Sequence, residues 1–193
     1  MPIKLAVLAS GNGSNFQAIL DAIESKKLKI QVVKLISDNP QAYVIQRAQK
    51  HHISYSIYER KNFSDKNNYE KAILEDLKNA QTEWVILAGY MKIVSSLLLQ
   101  AFPNKILNIH PSLLPKFQGL NAIEQTWKAG EKTTGCTVHF IDEGCDTGPI
   151  IAQSSFNILS SDTLETVTER MHQHEHKLYV QVLEWLEAGK IKI

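Results

Sequence analysis

Residues 3–15 read "IKLAVLASGNGSN", a mainly apolar run that ends in two glycines and two asparagines. Residues 3–9 have the length and character of a buried strand. Phe16, Ile19, Leu20 and Ile23 then recur at helical spacing, which predicts a helix over residues 15–25. Ser14 with Gln17 three positions on has the form of a capping box at its start. A strand joined to a helix through a tight glycine turn is the opening unit of a parallel α/β sheet.

The same unit recurs outward from this stretch. Residues 32–36, 54–57, 84–88 and 106–109 read as further strands. Between them, residues 43–50, a segment marked by Tyr69, Ile73, Leu74 and Leu77, and residues 97–102 read as helices. Short apolar strands alternating with amphipathic helices predict an α/β fold: an open, mostly parallel twisted sheet with helices on both faces. After residue 110 the pattern changes. A loop rich in proline and glycine spans 111–119, and a short helix over 122–129 ends at Gly130. Strands over 134–140 and 150–157 are close enough to pair antiparallel. A long helix over 163–188 has Asp162 and Glu165 as candidate caps and Gly189 as its stop. We expect residues 1–193 to form one domain, with 111–193 as a subdomain that no linker separates from 1–110. A chain of this length buries roughly 70% of its unfolded surface, enough for a core without staples.

Composition narrows the partners. Lys and Arg total 21 against 20 Asp and Glu, for a net charge of +1. That balance argues against nucleic acid and anionic membranes as partners. No apolar run approaches the ~20 residues of a bilayer span. Cys136 and Cys145 form no CxxC pair and no secretory signal is recognised, so we expect reduced thiols and a cytoplasmic protein.

Three readings fit "SGNGSN" at residues 10–15. The amides of Gly13, Ser14 and Asn15 open a helix and can cradle a phosphate. Gly11-x-Gly13, with Asp38 after the second strand, partly matches a dinucleotide fingerprint, but Phe16 stands at the third glycine position. The third reading is a plain turn that needs φ > 0. A Walker A loop is excluded, because no Gly-Lys-Ser/Thr follows Gly13.

A second constellation reads "NIHPSLLPKFQG" at residues 108–119. Asn108 and His110 are two apart at the end of the fifth strand, so they share a face. Ligands of open α/β sheets bind outside the carboxyl ends of the strands. An amide and an imidazole there can donate to a developing oxyanion or move a proton. The loop "IDEGCDTGP", residues 141–149, offers Asp142, Glu143 and Asp146 as carboxylates to orient the histidine. Residues 172–176, "HQHEH", match the H-x-x-E-H zinc-peptidase pattern. The only later acids, Glu184 and Glu187, lie on the same predicted helix, so a polar helix face with Glu175 aimed at a cationic group is preferred, and we expect no metal site.

These motifs together resemble the phosphoribosylglycinamide formyltransferases. The resemblance runs through "SGNGSNFQAI", "VILAGYMKI" at 85–93, "LNIHPSLLPKFQG" at 107–119, "GCTVHFIDEGCDTGPII" at 135–151 and "QHEHKLY" at 173–179. It implies a Rossmann-like formyltransferase fold and transfer of a formyl group from 10-formyltetrahydrofolate to glycinamide ribonucleotide. It implies two small-molecule substrates, no metal and a monomer or homodimer. Asn108, His110 and Asp146 are then the catalytic group. Gly13, Ser14 and Asn15 hold the substrate phosphate, with His172, Gln173, His174 and Glu175 on the nucleotide side. Lys66, Met91, Lys92, Ile93 and Val94 wall the folate site, together with Asn108, Asp142, Glu143, Gly144, Cys145 and Asp146. Lys66 and Lys92 stand where the family pattern has Arg, Gln118 where it has Pro, Asn121 where it has His, and His172 where it has Gln. The rivals are a formyltetrahydrofolate hydrolase, another folate formyltransferase, an H-x-x-E-H zinc peptidase and a non-catalytic nucleotide-binding module.

Overall fold

The computed structural model describes residues 1–191. The first strand, β1 (Lys4–Leu8), turns through Gly11 and Gly13 into α1 (Ser14–Glu24). The chain then steps outward through β2 (Gln31–Ser37), α2 (Val44–Lys50) and β3 (Tyr55–Ile57). The helix α3 (Lys66–Asn79) carries it back across the sheet to β4 (Trp84–Leu87), followed by α4 (Ser96–Ala101) and β5 (Ile106–His110). These five strands are parallel. After α5 (Ala122–Lys128), β6 (Thr133–Phe140) and β7 (Ile150–Asn157) extend the sheet antiparallel, and α6 (Leu164–Glu187) closes the fold.

The sheet has seven strands in the order β3-β2-β1-β4-β5-β6-β7. Its direction of growth reverses between β1 and β4, and such a switch point opens a crevice at the carboxyl ends of the strands. Alternation along each strand builds a core on each face. Leu5, Val7 and Ala9 pack with α1, α2 and α6, whereas Ala6 and Leu8 pack with α3 and α4. Leu107 and Ile109 belong to the first core, so Asn108 and His110 face the other way.

Two helix starts differ from the sequence reading. Gly13, not Ser14, is the N-cap of α1, at φ 74°, and no side chain caps the helix. The left-handed turn at Gly13 draws Ser14 into the helix itself, and the Gln17 side chain is taken by Asp21 and His51. At α6, Thr163 and Thr166 form the capping box, while the Asp162 carboxylate accepts from the Leu159 amide at 2.7 Å and pairs with Arg170.

Tyr179 ties α6 to the crevice. It is fully buried, and its hydroxyl lies 2.9 Å from Leu87 O, at the end of β4, and 3.1 Å from Leu107 O, within β5 beside it. Tyr179→Phe is expected to cost about 0.5–1.5 kcal/mol. Urea unfolding checks this as a lower midpoint with an unchanged slope.

Candidate functional site

The crevice floor is built from the ends of β1 and β4. The Ser10 amide donates to Gly89 O at 3.0 Å, and the Met91 amide donates to Ser10 Oγ at 2.8 Å. Two side-chain groups flank this seam.

The first surrounds the glycine loop. Because α1 has no side-chain cap, its leading amides at Gly13, Ser14 and Asn15 keep the unpaired donors and positive end of a helix N-terminus. Gly13 is pressed against α2: a Cβ there would stand 2.6 Å from Val44 Cβ. From α6, the buried Glu175 carboxylate reaches the same place, with Oε2 at 3.5 Å from Asn15 Nδ2 and 2.9 Å from His172 Nδ1. Its hydrogen bond to Glu175 raises the His172 pKa, against burial, which lowers it. Asn15 Oδ1 is buried without a protein partner, so an acceptor is left over beside the carboxylate. Of the remaining residues in the "HQHEH" run, His174 turns to β7, with Nδ1 2.7 Å from Ser154 Oγ and its ring 4.7 Å from that of Phe156. Gln173 is exposed. No three His, Cys, Asp or Glu groups cluster closely enough to hold a metal among the described residues.

The second group gathers Asn108, His110 and Asp146, and adds His139, which sequence reasoning missed. Antiparallel pairing sets His139 of β6 directly across from Asn108 of β5. The 141–149 loop folds back over this face and brings Asp146 to both. Asp146 Oδ2 lies 3.3 Å from His110 Nδ1 and accepts from the Gly119 amide at 2.9 Å. Its Oδ1 accepts from Asn108 Nδ2 at 3.3 Å and lies 3.5 Å from His139 Nε2. Asn108 Nδ2 is also 3.2 Å from His139 Nε2, and His139 Nδ1 faces Phe140 O at 2.8 Å. Burial alone would raise the Asp146 carboxyl. The His139 hydrogen bond, the Gly119 amide and the two imidazoles outweigh burial and bring it down to about 2. Asp146 is therefore an anion at any physiological pH. It adopts φ 55°, a left-handed turn that Asp tolerates better than most residues.

His110 is buried, and Nε2 faces Phe117 O at 2.8 Å while Nδ1 faces Asp146. Both ring nitrogens thus meet acceptors, Phe117 O and the Asp146 carboxylate. Gln118, at the departure from the family pattern, donates from Nε2 to Asp146 O at 3.1 Å and so helps hold the two loops together. The signal for His139 was present in the sequence. Thr137 and His139 alternate with Cys136, Val138 and Phe140, so a histidine sits on the polar-facing side of an otherwise apolar strand.

Of the residues expected to wall the folate site, Met91 and Ile93 are 62% and 68% exposed, unusual for large apolar side chains, and Val94 is buried. Asp142 Oδ1 accepts from the Gly144 amide at 3.0 Å and from Thr147 Oγ1 at 2.7 Å, shaping the loop, while Glu143 is exposed. Lys92 Nζ stands 3.3 Å from Asp38 Oδ2, and Lys66 Nζ 3.9 Å from Glu70 Oε1. The Asp38 carboxylate is mostly buried, pairs with Lys92, and leaves Oδ1 without a partner. Burial raises the Glu70 carboxyl. Neither thiol is built as a nucleophile, since burial pushes Cys136 up to about 12, and burial with the Asp146 charge raises Cys145.

Comparison with known proteins identifies the family. Residues 3–183 match the family model described as formyl transferase. A phosphoribosylglycinamide formyltransferase of Bacillus subtilis (strain 168) is 48% identical over 183 residues, 95% of this chain and 94% of that protein. One from Haemophilus influenzae is 39% identical, over 98% of this chain and 90% of its own length. The crystal structure of glycinamide ribonucleotide transformylase 1 from Geobacillus kaustophilus superposes with a TM-score of 0.94 at 46% identity, covering 97% of this chain and all of that one. With the family model spanning almost the whole chain and these relatives matched end to end, the chain belongs to the formyl transferase family, among its phosphoribosylglycinamide formyltransferases.

Proposed function

We propose that the Asn108–His110–Asp146 group carries out the family's reaction in this chain, moving a formyl group from 10-formyltetrahydrofolate to the amine of glycinamide ribonucleotide. The observation that supports it most is Asp146, an anion tied at once to Asn108, His110 and His139. The neutral amine attacks the formyl carbon, a C–N bond forms and the carbonyl oxygen takes the negative charge. His110 and Asn108 exchange their present bonds, to Phe117 O and Asp146, for bonds to that oxyanion. Collapse breaks the bond to the folate nitrogen, and the proton lost by the amine is relayed through water beside Asp146 to that nitrogen. Asp146 keeps His110 oriented throughout, and His139 holds Asp146.

The nucleotide lies with its phosphate on the amides of Gly13, Ser14 and Asn15, and Glu175 takes the ribose or amine side. The folate lies along Met91, Ile93, Val94 and the 142–146 loop, with Lys66 and Lys92 supplying point charges where Arg would supply a planar fork. Holding both substrates in register is a large part of the rate, since well-oriented reactants reach effective molarities of ~10⁵–10⁸ M. Asp38, paired with Lys92, belongs to this wall and not to a dinucleotide site.

Absorbance of the folate product, followed with and without glycinamide ribonucleotide, tests the reading. Turnover that needs the nucleotide is expected. Release of tetrahydrofolate at the same rate without it would identify a hydrolase instead.

A further inference from the structure

Arg47 of α2 has no part in the reaction described above, yet three of its nitrogens are committed around the glycine loop. Its Nε donates to Asn12 O at 2.9 Å, and Nη2 donates to Asn12 Oδ1 at 2.9 Å. Nη1 donates to Gln17 Oε1 at 3.0 Å. The guanidinium lies over the Tyr43 ring, 4.8 Å from its centroid. Gln17 is itself fixed: its Nε2 donates to Asp21 Oδ1 at 2.8 Å and meets His51 Nε2 at 3.0 Å, and His51 Nδ1 meets Glu24 Oε1 at 2.8 Å. A rigid fork therefore clamps one residue by its backbone and its side chain, and the fork is braced from α1.

The carbonyl of Asn12 and the N–H of Gly13 belong to one trans peptide, so they point in opposite directions. Gly13, at φ 74°, lacks the Cβ that would restrict rotation of that peptide. Left free, the peptide could turn its carbonyl outward and face an incoming anion with a negative oxygen. With the carbonyl drawn to Arg47, the Gly13 amide faces away from α2, alongside the uncapped amides of α1. Val44 closes the other side, its own amide donating to Gly11 O at 3.1 Å.

We infer that Arg47 is the positioning residue of the nucleotide site: by clamping Asn12 it fixes the orientation of the Asn12–Gly13 peptide, and so sets the amide cradle that receives the 5′-phosphate. The inference rests on the phosphate reading of residues 13–15 given above. It assigns Arg47 a role through geometry and not through its charge alone. A lysine keeps the charge but cannot hold carbonyl and side-chain oxygens with one planar group.

Steady-state kinetics with glycinamide ribonucleotide, and with the same compound lacking its phosphate, test it on wild type, Arg47→Lys, Asn12→Ala and the double variant. Wild type is expected to favour the phosphorylated substrate. Arg47→Lys is expected to raise KM for it by about tenfold or more, the scale of a lost charge-assisted pair of hydrogen bonds. Its kcat, its folate KM and its use of the phosphate-free compound stay near wild type. Asn12→Ala raises KM less, and adds little in the Arg47→Lys background, because one clamp has already been lost. A wild-type KM in Arg47→Lys, or full additivity in the double variant, overturns the clamp. Should Arg47→Lys fail to fold, Asn12→Ala alone decides: an unchanged preference for the phosphate overturns it. If wild type itself ignores the phosphate, the reading of residues 13–15 fails first, and the inference falls with it.

Discussion

Asp146→Asn is expected to lower kcat by about 10²–10⁴-fold, the range for losing a positioned acid–base group. The carboxylate has five neighbours: the Gly119 amide, His110 and the Cys145 thiol at Oδ2, and Asn108 and His139 at Oδ1. An asparagine supplies one acceptor and one donor group, so either the amide and His110 or Asn108 and His139 would meet N–H groups. His110 then loses its orientation although it remains in place. The KM for the nucleotide should change little, because Asp146 makes no hydrogen bond or ion pair with residues 11–15 among the described residues. Single-turnover and steady-state rates across pH separate these effects, and a variant as fast as wild type at every pH would remove Asp146 from the mechanism. Stability changes with a definite sign. The folded-state pKa is depressed, to about 2, so the carboxylate stabilises the fold above the ordinary range near 4 and this contribution is lost as pH falls through about 2. The stability gap between wild type and variant, on the order of 2 kcal/mol near neutral pH, should close between about pH 4 and pH 2. Acid titrations of both proteins measure it.

Gly13→Ala is the second large effect, and it acts on the fold before the chemistry. An L residue at φ 74° costs roughly 1–2 kcal/mol. The new methyl would also stand 2.6 Å from Val44 Cβ and 3.1 Å from Val44 Cα, so α2 must shift, at a further cost of about 1–3 kcal/mol. A total loss of about 2–5 kcal/mol is a large part of the 5–15 typical of a domain. Protein that still folds should bind the nucleotide far more weakly, because α2 carries both Val44 and Arg47 against the loop. Combining the change with Val44→Ala is expected to return part of the packing loss and none of the backbone cost. Denaturant midpoints of the four proteins in that cycle give the answer, and strict additivity would show that the Val44 γ-methyls, the atoms the second change removes, are not the obstacle.

The sequence carried the sheet well because hydrophobic periodicity reports burial. The five parallel strands, the antiparallel pair and the long last helix all lie where alternation and spacing place them. It also set Asn108 and His110 on one face near the end of β5, because residues two apart in a strand share a face, whereas Asp146 was singled out from Asp142 and Glu143 by the family resemblance. What it missed depends on pairing. His139 belongs to the site only because β6 lies antiparallel beside β5, a register that no local pattern encodes. Asp38 stood in the sequence only as part of a partial dinucleotide fingerprint, and its pairing with Lys92, far along the chain, is visible only in the fold. The helix caps failed for a local reason. Ser14 fits the capping-box pattern, but a left-handed Gly13 displaces it by one position.

The hairpin of β6 and β7 has one further consequence, which is a matter of parity. Along β6, odd and even positions address opposite sides of the sheet, and Asn108 meets His139 only while the pairing Leu107 with Phe140 and Ile109 with Val138 is kept. Adding one residue to β6 between Val138 and His139 would leave composition and strand propensity almost untouched, yet it would set the new residue across from Asn108 and turn the imidazole toward the aliphatic layer. The loop from 141 to 149 has no such counting rule, so length changes there move Asp146 by degrees. The fold therefore holds its reacting groups with two kinds of tolerance, digital in the strand and analogue in the loop, and variation among related chains should follow that division.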